Sequence, residues 1–504
     1  CVRDPDLGLT YYTYDAGSRM TSVKNPFGEV TYYAYRLDGQ VSKKTLGNGC
    51  VTYYEFDAIG RTTKVDNRKG DMSVISSFAY ERDAVGNPLS IEREDGYTVY
   101  YDYDARHQLT AERHLDGGEV YAWEWDYDAA GNREYQVFNG EATYYEYNAA
   151  NELLTETTGG ETTYYDYDAC GNTTAKQEPT GVTYYHWDHE NLMTRLDLPV
   201  GGHSYFAYDA DSKRVSKRDS EGFTEFIYQG PDMLALQMER DEAGETRVRY
   251  TMGAGLEAMR RADGGDISSG DSSFYHFDWL GSTFELTDES QAVTDEYLYN
   301  AWGEVLQRTG TTDNPHQWVG NHRYYVAGFS RLALLGHRMY LNSVGRFLTI
   351  DPIGRRHHYT YAADKPVMAI DATGLLTTDV YHLFVVGQAD KEAAVGYLRS
   401  ARDIWATLTA SGATILNHPL QGPVDTEQCV LNDGIRRTVI LDNWSGPAGW
   451  NDPRRVWDLQ AKTVMAYVQE RYGITPVPAG ERPATQAVAV WLSGSAYHAA
   501  GTSP

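Results

Sequence analysis

Thr163-Tyr164-Tyr165-Asp166-Tyr167-Asp168-Ala169-Cys170-Gly171-Asn172 is the stretch that decides the fold of this chain. Its first half alternates aromatic and polar residues with a period of two, which is the pattern of a half-buried strand. Its second half ends in Gly and Asn. Glycine reaches positive φ without strain, and Asp or Asn can bond its own backbone in a turn. The unit recurs at Tyr14-Asp15, Tyr35, Phe56-Asp57, Tyr80, Tyr103-Asp104, Tyr127-Asp128, Tyr147-Asn148, Tyr167-Asp168, Trp187-Asp188 and Tyr208-Asp209. The aromatics are spaced by 21, 21, 24, 23, 24, 20, 20, 20 and 21 residues. A fixed period of this length marks a repeat architecture. A single hairpin is marginal in water, so stacked hairpins must share one continuous sheet. The expected architecture is therefore all-β, and most of the Tyr-Asp pairs are structural.

Composition agrees. The 504 residues include 41 Tyr and 48 Gly, the residues that strands and tight turns of this kind consume. Net charge is −27, and residues 376–504 carry 12 acids against 10 bases, so nearly all of the excess lies in the repeat region. Such a surface repels nucleic acid and anionic membrane, and no direct binding of either is expected of it. No apolar run approaches the ~18 residues that span a bilayer, and no signal-peptide pattern opens the chain. Cys1 already stands inside a repeat, which reads as the C-terminal piece of a longer exported protein, secreted or at the cell surface. Cys1, Cys50, Cys170 and Cys429 have no CxxC spacing, which argues against a zinc site or a disulfide framework. No cofactor or metal is expected.

The unit Tyr-Asp-x-x-Gly-Arg/Asn, as in Phe56 to Arg61, Tyr127 to Asn132 and Tyr167 to Asn172, resembles the YD repeat of Rhs proteins, toxin-complex C subunits and teneurins. Two further stretches are similar to the Rhs core. One is Phe274-Tyr275-His276-Phe277-Asp278-Trp279-Leu280-Gly281-Ser282-Thr283. The other runs from Arg338-Met339-Tyr340 through Gly345-Arg346-Phe347-Leu348-Thr349-Ile350-Asp351-Pro352-Ile353-Gly354. The resemblance covers residues 1 to about 375. It implies a YD-repeat β-hairpin shell, a hollow spiral sheet over residues 1–270, closed by a core segment, 271–375, that plugs it from inside. Two units depart from the pattern: the turn after Tyr14 carries its Gly one position early, and the turn after Tyr103 has none. Residues 228–270 lose the period, and irregular strands or a loop are expected there.

The resemblance also implies chemistry. In Rhs and toxin-complex C proteins, the aspartates matching Asp351 and Asp371 cut the chain after the Leu of D-x-x-G-L. Here Asp371-Ala372-Thr373-Gly374-Leu375 places that bond at Leu375-Leu376. Two carboxylates brought close do not both ionise, so one serves as acid while the other activates water. Arg346, the arginine of G-R-F, is expected to orient one of them. Read without the resemblance, Asp-Pro and Asp-x-x-Gly are ordinary turn formers. Between the aspartates, His358 and the pair Asp364-Lys365 stand where the family reads Asn.

After Leu375 the Tyr-Asp rhythm stops. Strand-like runs at 380–386, 413–416, 438–441 and 487–492 alternate with helical patterns at 391–408 and 453–469, as in a small α/β domain. In the family this position, 376–504, holds a variable effector, often a toxin. None of the motifs HExxH, GxSxG, the zinc-deaminase pair or a P-loop is present. Two readings follow. In the first, the shell encapsulates the effector, its own C-terminal domain, and releases it by self-cleavage, with secretion machinery and an immunity protein as partners. In the second, the repeats form a cell-surface interaction scaffold and the tail is an uncleaved cap.

Overall fold

The computed structural model describes residues 1–229, 236–327, 332–352, 359–371 and 374, and six strands between 380 and 493. It divides into two units: residues 1–350 with 357–375, and residues 351–356 with 376–504. The first unit holds a 29-stranded sheet running from Val2–Arg3 to Val305–Thr309. Every strand pairs antiparallel with the next one in the chain, so the sheet is one long meander.

The repeated dipeptide has a specific job in that meander. At Asp57-Ala58-Ile59-Gly60-Arg61, the Gly60 N–H donates to the Asp57 carbonyl (3.1 Å) and the Asp57 N–H to the Arg61 carbonyl (2.9 Å). The Asp57 carboxylate accepts from the N–H groups of Ile59 and Arg61 and pairs with Arg61 Nε at 2.6 Å. The aspartate thus satisfies the amides that the turn leaves open. The register slips by one residue just before the aromatic, as at Asp166/Tyr167 and Asp126/Tyr127. A turn followed by a left-handed residue and a one-residue bulge is a standard hairpin closure. Tyrosine then ties each hairpin to the one before. Tyr35, Tyr103, Tyr127, Tyr147 and Tyr208 donate to the carbonyls of Met20, Pro88, Leu109, Arg133 and Met193 at 2.6–3.0 Å. Trp187 does the same through its indole N–H, to Thr173 at 2.7 Å.

Three sequence expectations change here. The departing turns keep the same shape: Ser18 (φ 60°) and His107 (φ 62°) take the left-handed position that Gly occupies elsewhere. The backbone hydrogen bonds and the neighbouring strands impose that conformation, and the side chain bears the strain. Tyr80 is not the aromatic of its unit. The bulge falls between Glu81 and Arg82, and Arg82 holds the place, its Nε donating to the Thr62 carbonyl at 3.2 Å. Finally, of the stretch 228–270 expected to be irregular strands or a loop, residues 230–235 lie outside the described residues, and 236–270 are strands with register shifts at Glu239/Arg240, Thr251/Met252 and Arg261/Asp263. They form antiparallel hairpins from Leu236–Arg240, Thr246–Met252, Leu256–Asp263 and Asp266–Phe277, which keep the sheet going even where the Tyr-Asp signature is lost.

An open sheet of this many strands must curl. Side chains far apart in sequence record the curl: Asn25 donates to Thr251 (2.9 Å), Asn48 to Thr287 (3.0 Å) and Ser76 to Glu285 (2.6 Å). Lys44 and Glu257, both buried, pair at 3.0 Å, and the Tyr33 hydroxyl donates to the same carboxylate at 2.6 Å. The D-x-L-G-S stretch is one more repeat turn, Asp278 to Ser282. That turn is half-buried at Asp278 and Trp279 and buried from Leu280 to Ser282, and desolvation pushes the Asp278 carboxyl up to about 7.

Beyond residues 351–352, the second unit is described only as strands. Val380–Leu383 pairs with Val490–Ser493, and Ile415–Leu420, Asp425–Asn432, Arg436–Ser445 and Gln486–Ala487 form an antiparallel sheet. The register sets Cys429 opposite Asn417 and His418 opposite Gln428. The helices expected over 391–408 and 453–469 lie outside the described residues. No helix among the described residues is long and apolar enough to cross a membrane.

Candidate active site

Buried residues between Trp302 and Val367, among them Trp318, Tyr340 and Phe347, share one core cluster with repeat-strand residues such as Trp125, Phe226 and Tyr250. Four short strands, Tyr325–Ala327, Leu332–Leu335, Arg338–Leu341 and Arg346–Phe347, form an antiparallel sheet within it. Trp318, Tyr340 and Tyr361 make an aromatic knot with ring centroids 5.1–5.6 Å apart. This segment is fastened to the repeats around residue 171. The Thr173 N–H donates to the Leu348 carbonyl (2.8 Å), and the Tyr359 hydroxyl donates to the Gly171 carbonyl (2.7 Å). Gly171 (φ 79°) is required twice over, since a Cβ there would lie 2.7 Å from that hydroxyl and 2.8 Å from Ile350.

Both predicted aspartates are buried: Asp351 is 4% exposed and Asp371 2%. Arg346 does not serve them as expected. Among the described residues its hydrogen bonds go to Asn132 Oδ1 (3.2 Å) and the Asn151 carbonyl (2.7 Å), and its guanidinium lies over Tyr147. Neighbouring strand residues point to opposite faces. Phe347 takes the inner face, beside Tyr340 and Tyr361, so Arg346 faces the repeat wall.

The arginine that meets an aspartate is Arg338, from the R-x-Y triplet. Its Nη2 lies 3.0 Å from Asp371 Oδ2, with both side chains buried, and its guanidinium carbon sits 3.5 Å from the centre of the Phe347 ring. Its Nε donates to the Gly374 carbonyl. The Asp371 N–H donates to the Tyr324 hydroxyl (2.9 Å), which in turn bonds the Tyr361 hydroxyl (2.9 Å). Burial, with Tyr361 and Asp371 nearby, holds the Tyr324 hydroxyl well above its ordinary range, so it stays neutral. The Gly374 N–H closes the D-x-x-G turn on the Asp371 carbonyl at 3.1 Å. Gly374 (φ 65°) packs on the Leu335 carbonyl, where any Cβ would collide. Leu375 and Leu376 lie outside the described residues, as does the basic run 355–358. The sequence signal for Arg338 was present in its triplet, but spacing alone did not distinguish it from Arg346.

Asp364, which the sequence marks only as a departure from the family's Asn, is a further buried carboxyl. Burial pushes it up to about 7, against the opposing effects of a hydrogen bond from Gln108 Nε2 (2.8 Å) and of Arg346 and Arg133. Among the described residues no cluster of His, Cys, Asp and Glu is arranged to hold a metal.

The teneurin YD-shell family model matches residues 87–368, more than half of the chain. The chain belongs to the teneurin YD-shell family. Its sheet is the YD shell of Rhs-type repeat proteins. In fold it is similar to the crystal structure of TcdB2-TccC3-TEV, at a TM-score of 0.58 and 16% identity over 74% of this chain and 22% of that one. A TcdB2-TccC3 structure without its hypervariable C-terminal region gives 0.56 over the same shares, also at 16% identity. Among curated relatives, the tRNA3(Ser)-specific nuclease WapA of Bacillus spizizenii is 27% identical over 181 residues, 34% of this chain and 7% of the relative. Toxin protein Tse5 of Pseudomonas aeruginosa is 29% identical over 127 residues, 25% of this chain and 9% of the relative. Double-stranded DNA deaminase toxin A of Burkholderia cenocepacia is 29% identical over 202 residues, 34% and 14%. This YD-shell chain therefore spans between 7% and 14% of these three relatives.

Proposed function

We propose that this chain is the shell-closing part of an exported toxin, in which the YD shell encapsulates a C-terminal effector, residues 376–504, and frees it by self-cleavage at Leu375-Leu376. The observation that carries the reading is at the D-x-x-G turn: Asp371 and Gly374 are both buried, with the Asp371 carboxylate and the Gly374 carbonyl both held by Arg338. The names of the WapA, Tse5 and DNA deaminase relatives support a toxin context.

In the proposed reaction Asp371, paired with a guanidinium, is the group suited to act as base, and Asp351 acts as acid. Asp371 takes a proton from water, whose oxygen adds to the Leu375 carbonyl carbon. The C–N bond then breaks, and the Leu376 nitrogen takes a proton from Asp351. Burial limits the substrate to the chain's own tail.

The alternative, an interaction scaffold, is favoured by one feature. Tyr144, Tyr164, Tyr184 and Tyr205 recur on the exposed face of successive hairpins. Intact mass under denaturing conditions separates the two readings. Self-cleavage predicts two fragments split at Leu375-Leu376 in the wild type and a single chain in Asp351→Asn and in Asp371→Asn. A single chain in the wild type rejects self-cleavage and leaves the scaffold.

A further inference from the structure

We propose that a small monovalent anion, chloride in ordinary solution, binds on the guanidinium of Arg214, in a cavity where the core segment meets the repeat strands. The cavity has a volume of about 30 Å³. Lys213, Arg214 and Tyr228 line it from the repeats, and His316, Arg323 and Tyr325 line it from the core segment.

Arg214 carries the argument. The residue is 3% exposed, and its Nε and Nη1 have no hydrogen-bond partner among the described residues. The rings of Phe226 and Tyr325 lie 4.5 and 4.6 Å from its guanidinium carbon. An aromatic ring takes up the face of a guanidinium and leaves the N–H edge in need of an acceptor. A buried cation with unmet donors is costly, so a counter-charge belongs beside it. No carboxylate lines the cavity. Those of the neighbourhood are engaged elsewhere. Glu239 accepts from the hydroxyls of Tyr250 (2.7 Å) and Tyr325 (3.1 Å), and Asp313 pairs with Arg261 at 2.7 Å. Lys213, also buried, adds a second cation, and its ion pair with the exposed Asp211 is loose at 3.8 Å.

His316 and the size of the cavity narrow the ligand. The His316 Nδ1 donates to the Tyr324 carbonyl at 3.1 Å, which leaves Nε2 as a buried acceptor without a partner among the described residues. Burial first, and then the charges of Arg323, Arg214 and Arg261, push this imidazole down to about 3, so it is neutral. A water that gives one proton to Nε2 and the other to the anion satisfies both. A water requires ~10–15 Å³ of such space, so the cavity takes about two bodies of that size, the anion and this water. Sulfate and phosphate are too large for it. The ion thereby neutralises the repeat arginine at its junction with the core segment.

Two measurements on the full chain test this. Crystals grown in bromide, which replaces chloride and scatters anomalously, are expected to show one anomalous peak within hydrogen-bond reach of Arg214 Nε and Nη1. Denaturation is then compared in chloride and in gluconate at matched ionic strength. Above saturation, each tenfold rise in chloride is expected to raise the folded-to-unfolded ratio about tenfold over gluconate. Lys213→Gln is expected to require roughly tenfold more chloride for the same gain, the worth of one charged hydrogen bond. Arg214→Met is expected to lose the difference between the two anions. If Arg214→Met does not fold, the bromide peak decides in its place. Water density alone in the cavity, with no bromide peak, overturns the proposal, because water then meets Arg214. Equal stability in chloride and gluconate rejects it too, as does a chloride dependence that survives in folded Arg214→Met. Displacement of the bromide by equimolar sulfate refutes the assignment to a small monovalent anion.

Discussion

Asp364→Asn makes the sharpest test of how the core segment is seated. The carboxyl is buried and pushed up to about 7 from an ordinary value of 3.8. Gln108 Nε2 donates to one of its oxygens at 2.8 Å, while Gln108 Oε1 is buried without a hydrogen-bond partner. A neutral Asp364, or an Asn, has a proton to offer that acceptor, and an ionised Asp364 has none. The folded state holds the proton more tightly than the unfolded state does. The stability tied to it is therefore complete below about pH 4, falls as pH rises, and is lost once pH passes about 7. At about 1.4 kcal/mol per unit, the whole difference is on the order of 4 kcal/mol, of which about 3 falls between pH 5 and pH 8. Asn cannot ionise. The stability of Asp364→Asn relative to wild type should therefore improve by about 3 kcal/mol between pH 5 and pH 8, read from denaturant midpoints at matched ionic strength. Asp278 and Glu285, two other carboxyls that desolvation raises to about 7, are present in both proteins and cancel in the difference. A difference that stays constant across this range would show that Asp364 ionises as an ordinary carboxyl and would refute the argument.

Two further outcomes concern the shell. Tyr127→Phe removes the hydroxyl that caps the Leu109 carbonyl at 2.7 Å and should cost about 1–2 kcal/mol, whereas Tyr144→Phe, on an exposed ring, should fall within about 0.5 kcal/mol of wild type by the same denaturation assay. Lys44→Met strands the buried Glu257 carboxylate and should cost about 3–5 kcal/mol, much of it recovered in the double variant Lys44→Met with Glu257→Leu. Equal losses in the single and double variants would argue against the pair as the source. In addition to these, Asp351→Asn and Asp371→Asn should leave a single uncut chain by intact mass under denaturing conditions.

The sequence by itself determined the meander. Each unit closes on itself within about five residues, through an Asp that caps its own turn and an aromatic that bonds the preceding hairpin, so its period in the sequence is its period in space. The change of composition after Leu375 was legible for the same reason, because patterning is local. Tertiary structure decided what spacing leaves open. Arg82 takes the aromatic's place in one unit, beside Trp279 from nearly two hundred residues later. Asp278 sits in a turn like any other, and its carboxyl is raised only because the curled sheet buries that turn. Arg338 and Arg346 lie eight positions apart in one signature, yet one faces Asp371 and the other the repeat wall. Hydrogen bonds within a hairpin follow from neighbouring residues. Burial and long-range pairing depend on how far the sheet curls, a sum of small twists along 29 strands that no single stretch of sequence records.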